Sequence, residues 1–244
     1  MNQRAITPQE SLVQININGQ PLTQLLCSPV NLKELAAGWL LTQGIIDGLD
    51  DVSSLGVCED EAEINVVLRD GYPPPDSEFH PVITSGCSGG RMDLRLYTLD
   101  EKPVASKLTV QAARLPGLLS AMFREHEASC PVRGMHCAAL IVADDERDMI
   151  ITRDVGRHNA VDKAIGVGLM KSLDFGRTII ATSGRISSDM ILKAWRAGIP
   201  VVLSPRSITT MAEDFARKAG IAVVARLARP DRVMAGKTDR IVMP

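Results

Sequence analysis

The stretch TIIATSGRISSDMILKAWRAGIPVVL, residues 178–203, decides the fold. Residues 178–182 and 201–203 are short, mostly apolar runs and read as strands. Residues 188–197 between them read as a helix, with Ser187 or Ser188 as its cap. The alternation continues on both sides. Downstream, 208–219 reads as helix and 221–225 as strand. Upstream, 159–173 reads as helix, and CAALIVA (137–143) is the continuous apolar run of a strand buried on both faces. Asp144, Asp145 and Glu146 turn that strand into a neighbour at 149–152. Repeated strands and helices imply an α/β class: a sheet with parallel strands, covered by helices on both faces. A further helix is expected at 110–127, kinked or restarted at Pro116. The polar end, 226–244, is expected to extend over the surface.

The first hundred residues have another character. Val13, Ile15 and Ile17 alternate with Gln14 and Asn16, and Asn18-Gly19 turns that strand into a return strand at 21–27. Asn31 is placed to cap a helix, with Glu34 in capping-box register. Leu32, Leu35, Ala36, Trp39 and Leu40 then share one face, and Gly44 stops the helix. Ile64, Val66 and Leu68 alternate as a strand, as do Met92, Leu94 and Leu96. Between them YPPPD (72–76) is a stiff connector. The expected division is a smaller, mainly β domain with one helix over 1–105 and an α/β domain over 106–244.

Composition narrows the function classes. Apolar residues at 45% support a sizeable core, and aromatics at 3% make it aliphatic. A net charge of -2 gives no global basic field to attract nucleic acid. No apolar stretch of about 18 residues suggests a membrane span. The start, MNQRAITPQESL, lacks the apolar run of a signal peptide. The five cysteines, at 27, 58, 87, 130 and 137, have no CxxC or zinc-finger spacing and do not resemble a disulfide framework. The expected location is the reducing cytoplasm.

Ligands of such sheets bind at strand ends, and polar clusters gather there. GMH (134–136) precedes the CAALIVA strand. RDVGRHN (153–159) joins a strand to a helix, with Asp162 and Lys163 a turn further on. TSGRISSD (182–189) and SPRS (204–207) each lie between a strand and a helix, and a tail cluster, RLARPDR (226–232), adds three more arginines. Free N–H groups at helix starts, glycines that permit close approach and nearby arginines suit a phosphate group. The candidate contacts are Arg157, His158, Asn159, Asp162, Ser183, Gly184, Arg185, Ser204 and Arg206. Each cluster alone has a plainer explanation. Asp154, His158 and Asp162 can cap and salt-bridge a helix start, and Arg185 and Arg206 can be solvated surface charges.

The other candidate is TSGCSGGR (84–91). Cys87 sits among serines and glycines, where a packing cysteine does not belong. Glycines on both sides let another molecule approach, and Arg91 is a cation that can favour the thiolate. The alternative is an ordinary loop in which Cys87 is incidental. Four histidines without HxxxH or HxE spacing argue against catalytic zinc. A cysteine hydrolase, with Cys87, His136 or His158, and Asp154 or Asp162, stays open because triads assemble in space.

Taken together, GMHCAAL, RDVGRHNAVDKAIG, TSGRISSDMILKAWRAGIPVVLS and CSPVNLKELAAGWLLTQGII resemble the FdhD family of formate dehydrogenase accessory sulfurtransferases. The resemblance runs from about residue 12 to 233, and DVGRHNAVDK is its most specific segment. It implies that sulfur is taken from a cysteine desulfurase as a persulfide on a loop cysteine, here Cys87. That sulfur then passes to the molybdenum or tungsten bis(molybdopterin guanine dinucleotide) cofactor before the cofactor enters formate dehydrogenase. It also implies a cytidine-deaminase-like α/β/α sandwich for the second domain, and a homodimer. The zinc chemistry of deaminases is not carried over. Cys137 and Ala138 follow His136 with no general-base Glu at the expected place, and PCxxC is missing.

The chain departs from the family where most members carry CGxC. Here the residues are Cys87-Ser88-Gly89-Gly90, so one thiol remains. In the tail, the resemblance implies a cofactor contact at Leu227, Ala228, Arg229, Pro230, Asp231 and Arg232, with Asp231 where Gly is common. Three functions follow: a sulfur carrier, with arginines holding the cofactor's phosphates; a cofactor-binding chaperone without sulfur transfer; or a nucleotide hydrolase on a deaminase-like scaffold.

Overall fold

The computed structural model describes residues 7–58, 62–69, 81–83, 91–93, 102–130, 132–143 and 145–244. Cys87 lies outside the described residues, as do the connector 72–76 and Leu94 and Leu96.

Alternation builds the first sheet. β1 (Ser11–Ile17) turns Val13, Ile15 and Ile17 inward and is followed by β2 (Gln20–Cys27). Asn18 and Gly19 between them have φ of 50° and 79°, the two left-handed residues that a tight hairpin of right-twisted strands requires. β3 (Val52–Cys58) and β4 (Glu63–Leu68) complete the order β2-β1-β4-β3, with β1 and β4 parallel and the other pairs antiparallel. β3 buries none of its residues, so its sequence gives no inward alternation to read.

Helix α1 (Leu32–Thr42) follows β2 and is buried along nearly its whole length. Gly44, at φ 70°, ends it as expected. The expected capping box does not form. Asn31 sits at the helix start in the left-handed region, φ 53° and ψ 45°, and its side chain makes no cap bond. An N-cap side chain reaches the helix N–H groups from an extended backbone.

Two short strands, β5 (Pro81–Ile83) and β6 (Arg91–Asp93), pair antiparallel on either side of residues 84–90. Next come β7 (Val110–Gln111), a 3-10 turn at Ala112–Arg114 and helix α2 (Leu115–Ser129). The helix expected from 110 therefore starts later. Pro116 lies in its first turn, where a missing N–H removes no helical bond, so it starts the helix and does not kink it.

The second sheet contains β8 (His136–Val142), β9 (Asp145–Asp154), β10 (Thr178–Thr182), β11 (Val201–Leu203), β12 (Ala222–Ala225) and β13 (Val233–Gly236), in the order β13-β12-β11-β10-β8-β9. β10, β11 and β12 are parallel, while β8, β9 and β13 join antiparallel to their neighbours. Helices α3 (Arg157–Met170), α4 (Ser188–Ala197) and α5 (Thr210–Ala219) connect the strands. Period-two side chains divide the apolar strands between two cores. Ala138, Leu140, Ile180, Val202 and Val223 pack with α3, α4, α5, α1 and the first sheet. Cys137, Ile141, Ile179, Leu203 and Val224 pack with α2 on the other face. Burial on both faces explains why these strands read as unbroken apolar runs.

The polar end is largely exposed, at 228–232, 237–239 and 242–244, but it is anchored to the sheets. β13 extends the sheet, and β14 (Ile241–Val242) pairs parallel with β7. Between them Arg240 is buried and donates to the carbonyls of Gly220, Ser106 and Val104 at 3.0, 2.8 and 3.2 Å. Carbonyls left over at loop ends attract a guanidinium inward, which a hydropathy pattern does not register.

Candidate functional site

Because β8 runs antiparallel to both neighbours, β9, β10, β11 and β12 all end on one edge of the sheet, where β8 begins. Asp154, Thr182, Leu203 and Ala225 mark those ends, and His136 marks that beginning. All the polar clusters read from the sequence therefore meet there, as strand ends of such sheets dictate.

Hydrogen bonds lock the loops together. The Ser183 hydroxyl accepts the Cys137 N–H at 3.0 Å and lies 3.1 Å from His136 Nδ1. The Ser204 hydroxyl donates to Gly184 O at 2.6 Å and accepts the Arg206 N–H at 2.9 Å. Leu227 N–H donates to Ser204 O, and Arg226 N–H to Arg206 O. Gly184 is required: a Cβ there would come 2.5 Å from Arg157 Cδ and 2.9 Å from Arg157 Cβ. Its missing side chain lets Arg157 lie across the edge.

Charge is concentrated here. Arg157 and His158 are buried at the start of α3, while Arg185, Arg206, Arg229 and Arg232 are exposed around them. The His136 pKa is lowered by burial and then by the nearby charges of Arg157, His158 and Arg206. His136 is thus held neutral in an electropositive site. His158 Nε2 lies 2.5 Å from Asp189 Oδ2, both side chains buried. Asp189 also accepts from the Ser187 hydroxyl and, at 3.0 Å, from the Met190 N–H. Burial pushes the Asp189 carboxyl up, but the bond and charge of His158, with Ser187 and Lys193, outweigh it and hold Asp189 well below the usual carboxylate range.

Other candidates have buried partners. Asn159 donates to Leu26 O at 2.8 Å and to Asp154 at 3.1 Å. Asp162 faces away from the edge, into a buried pair with Lys193 at 2.7 Å, and accepts from Thr42 at 2.9 Å. Burial raises its pKa against the pull of Lys193. Asp154, completely buried, receives Lys163 at 2.6 Å, Ser28 N–H at 3.0 Å and Gly156 N–H at 2.8 Å. It is the cap and salt-bridge centre that the plainer explanation expects, and it ties the end of β2 to α3. In the tail, Leu227 is buried in the α2-side core. Ala228, Pro230 and Asp231 are exposed, and Asp231 pairs with Arg226. His136, Ser187 and Asp189 were not among the contact residues read from the sequence. No local spacing signals that His158 and Asp189 meet.

Two of the described cysteines are unsuited to carry sulfur. Burial, then the Asp154 charge, pushes Cys27 up to about 12. Burial pushes Cys137 up to about 11 against a hydrogen bond from Ser183. The thiolate is the nucleophile, so both are inert at neutral pH. Among the described residues, no group of three or more His, Cys, Asp or Glu is placed to hold a metal ion, and no helix is long and apolar enough to cross a membrane.

The FdhD/NarQ family profile matches residues 8–240. The chain belongs to the FdhD/NarQ family. A sulfur carrier protein FdhD from Geobacillus kaustophilus is 31% identical over 215 residues, covering 87% of this chain and 81% of that protein. The sulfur carrier protein FdhD of Mycolicibacterium paratuberculosis is 32% identical over 257 residues, covering 98% and 94%. A crystal structure from Desulfotalea psychrophila, of a protein proposed to be a formate dehydrogenase accessory protein, has a TM-score of 0.76. It covers 97% of this chain and 90% of its own at 24% identity. The mixed α/β architecture is thus shared with that fold, and the sequence resemblance carried by DVGRHNAVDK is one of family membership.

Proposed function

We propose that this FdhD/NarQ chain is a sulfur carrier required for formate dehydrogenase activity. Its substrate is the bis(molybdopterin guanine dinucleotide) cofactor, held as cargo at the sheet edge. The observation that carries the reading is Arg157 packed on Gly184 beside His158, with Arg185, Arg206 and Arg229 in the strand-end loops of the same sheet edge, in a chain whose relatives are named sulfur carriers. Guanidinium groups suit the phosphates of a dinucleotide. Arg157 and His158, desolvated, would give the strongest contacts; the exposed arginines would attract the anion over a longer range.

Cys87 is the proposed carrier. Its thiolate attacks the terminal sulfur of a cysteine desulfurase persulfide. A new S–S bond forms to Cys87, the donor's S–S bond breaks, and the donor cysteine leaves as thiolate. One thiol suffices for this exchange, so Gly90 in place of a second cysteine does not block it. The inertness of Cys27 and Cys137 supports Cys87 as the carrier. The accompanying scaffold reading is a cytidine-deaminase-like α/β/α sandwich, supported by the antiparallel β8–β9 hairpin beside three parallel strands with helices on both faces. A cytoplasmic homodimer completes the proposal.

Intact-protein and peptide mass spectrometry after incubation with a desulfurase and cysteine tests it. The expected result is a gain of about 32 Da, one sulfur atom, on Cys87, removed by reductant. No such gain on Cys87, with the desulfurase active on a control acceptor, contradicts it.

A further inference from the structure

β9 is the outermost strand of the second sheet, and among the described residues only β8 pairs with it. An outermost strand turns part of its N–H and C=O groups away from the sheet, a template for another extended chain. Charged residues commonly blunt such a strand. Residues 145–148 of β9 follow that rule, all four being Asp, Glu or Arg, but 149–152 read Met-Ile-Ile-Thr. Helix α2 packs beside this second half. Ala121, Arg124 and Ala128 recur at helical spacing on one face of α2, and Met149, Ile151 and Arg153 at period two on one face of β9. Between them runs a groove of about 690 Å³, within the range of sites that hold ligands. The alanines are too small to fill it, and Met149 and Ile151 stay half-buried. Its charge is mainly positive. Arg124 is exposed and bonds to none of the described residues. Arg153 donates to His126 Nδ1 at 3.2 Å, to Glu125 O at 3.4 Å and to the Ser129 hydroxyl, none of them an anion. Among the described lining residues, the Glu125 carboxylate is the one acid against two arginines.

We propose that the groove between α2 and β9 docks an extended, acidic segment of a partner protein. The segment adds a strand to β9 through main-chain hydrogen bonds, turns alternate apolar side chains toward Met149 and Ile151, and sets a carboxylate against Arg124 and Arg153. The extended form follows from the strand that β9 lacks on its outer side. The alternation follows from the single face that β9 turns to the groove, and the acid from the two arginines. A helical segment would not serve, because a helix keeps its own N–H and C=O groups paired and offers β9 none. Arg153 is prepared for the contact: its bonds to α2 fix the guanidinium before a partner arrives, which lowers the ordering cost of binding.

Selection from a display library of random peptides of 10 residues, the length of β9, against the full chain tests this. The selected peptides should place apolar residues at alternate positions and carry Asp or Glu. Made synthetically, they should slow hydrogen exchange of β9 N–H groups. Arg124→Glu should weaken their binding by about fivefold or more, and Ala128→Leu, which fills the groove, should remove it. Both positions are exposed, so both variants should melt with the wild type. No enriched sequence, or peptides that bind and leave β9 exchange unchanged, overturns the proposal. So does β9 exchange that is already slow in the free chain and quickens on dilution, which would give the strand to a second copy of this chain.

Discussion

Lys163→Met is expected to cost about 3–5 kcal/mol of folding stability, the range for breaking a buried ion pair from one side. Lys163 is completely buried, and its ammonium donates to Asp154 at 2.6 Å and to Ser28 O at 2.9 Å. Methionine nearly matches the volume, so a cavity is not the cause. The loss comes from Asp154, which would keep two backbone N–H groups and the Asn159 amide as donors but lose the Lys163 ammonium. An uncompensated carboxylate at full burial must either stay charged at high cost or take a proton. For a chain of this size the melting temperature should fall by roughly 10–15 °C. Calorimetry or urea unfolding measures it. The double variant Asp154→Asn with Lys163→Met should recover most of the loss, because neither charge is then left alone. A single-variant loss under about 1 kcal/mol would contradict the buried pair.

Gly166→Ala should destabilise by about 2–3 kcal/mol, towards the upper end for overpacking. α1 and α3 cross at Gly38 and Gly166. A Cβ on Gly166 would stand 1.8 Å from Glu34 O, and one on Gly38 would stand 1.9 Å from Asp162 O. Both obstacles are backbone atoms in helices, so no side chain can swing clear. Alanine gains about 1 kcal/mol in helix propensity, which the clash must exceed. Separating the helices would also stretch the Thr42–Asp162 bond and open the core that joins the two sheets. Gly117→Ala on α2 is the control. Nothing lies within 4 Å of a Cβ there, so its stability should be unchanged or slightly raised. Equal melting temperatures for Gly166→Ala and the wild type would contradict the close crossing.

Most of the α/β half is legible in the sequence because its apolar runs allow no solvated alternative. Residues 178–182, 188–197 and 201–203 form the elements expected of them. The misreadings share a cause. The role of Pro116 depends on where the helix begins, the role of Asn31 on its φ, and the path of the tail on carbonyls that only the folded chain gathers around Arg240. The site follows the same division. That the clusters meet at one edge follows from their places at strand ends. Which of them remain available to a ligand does not, because Asp162 and Asn159 find buried partners on other elements.

The most direct test of sulfur carriage is formate dehydrogenase activity in cells whose own copy of this protein is replaced by the wild type or by Cys87→Ala. The expected result is activity restored by the wild type and lost, to the level of cells without the protein, in Cys87→Ala at equal expression. Wild-type activity with Cys87→Ala would contradict sulfur carriage and leave a cofactor-holding role at the sheet edge.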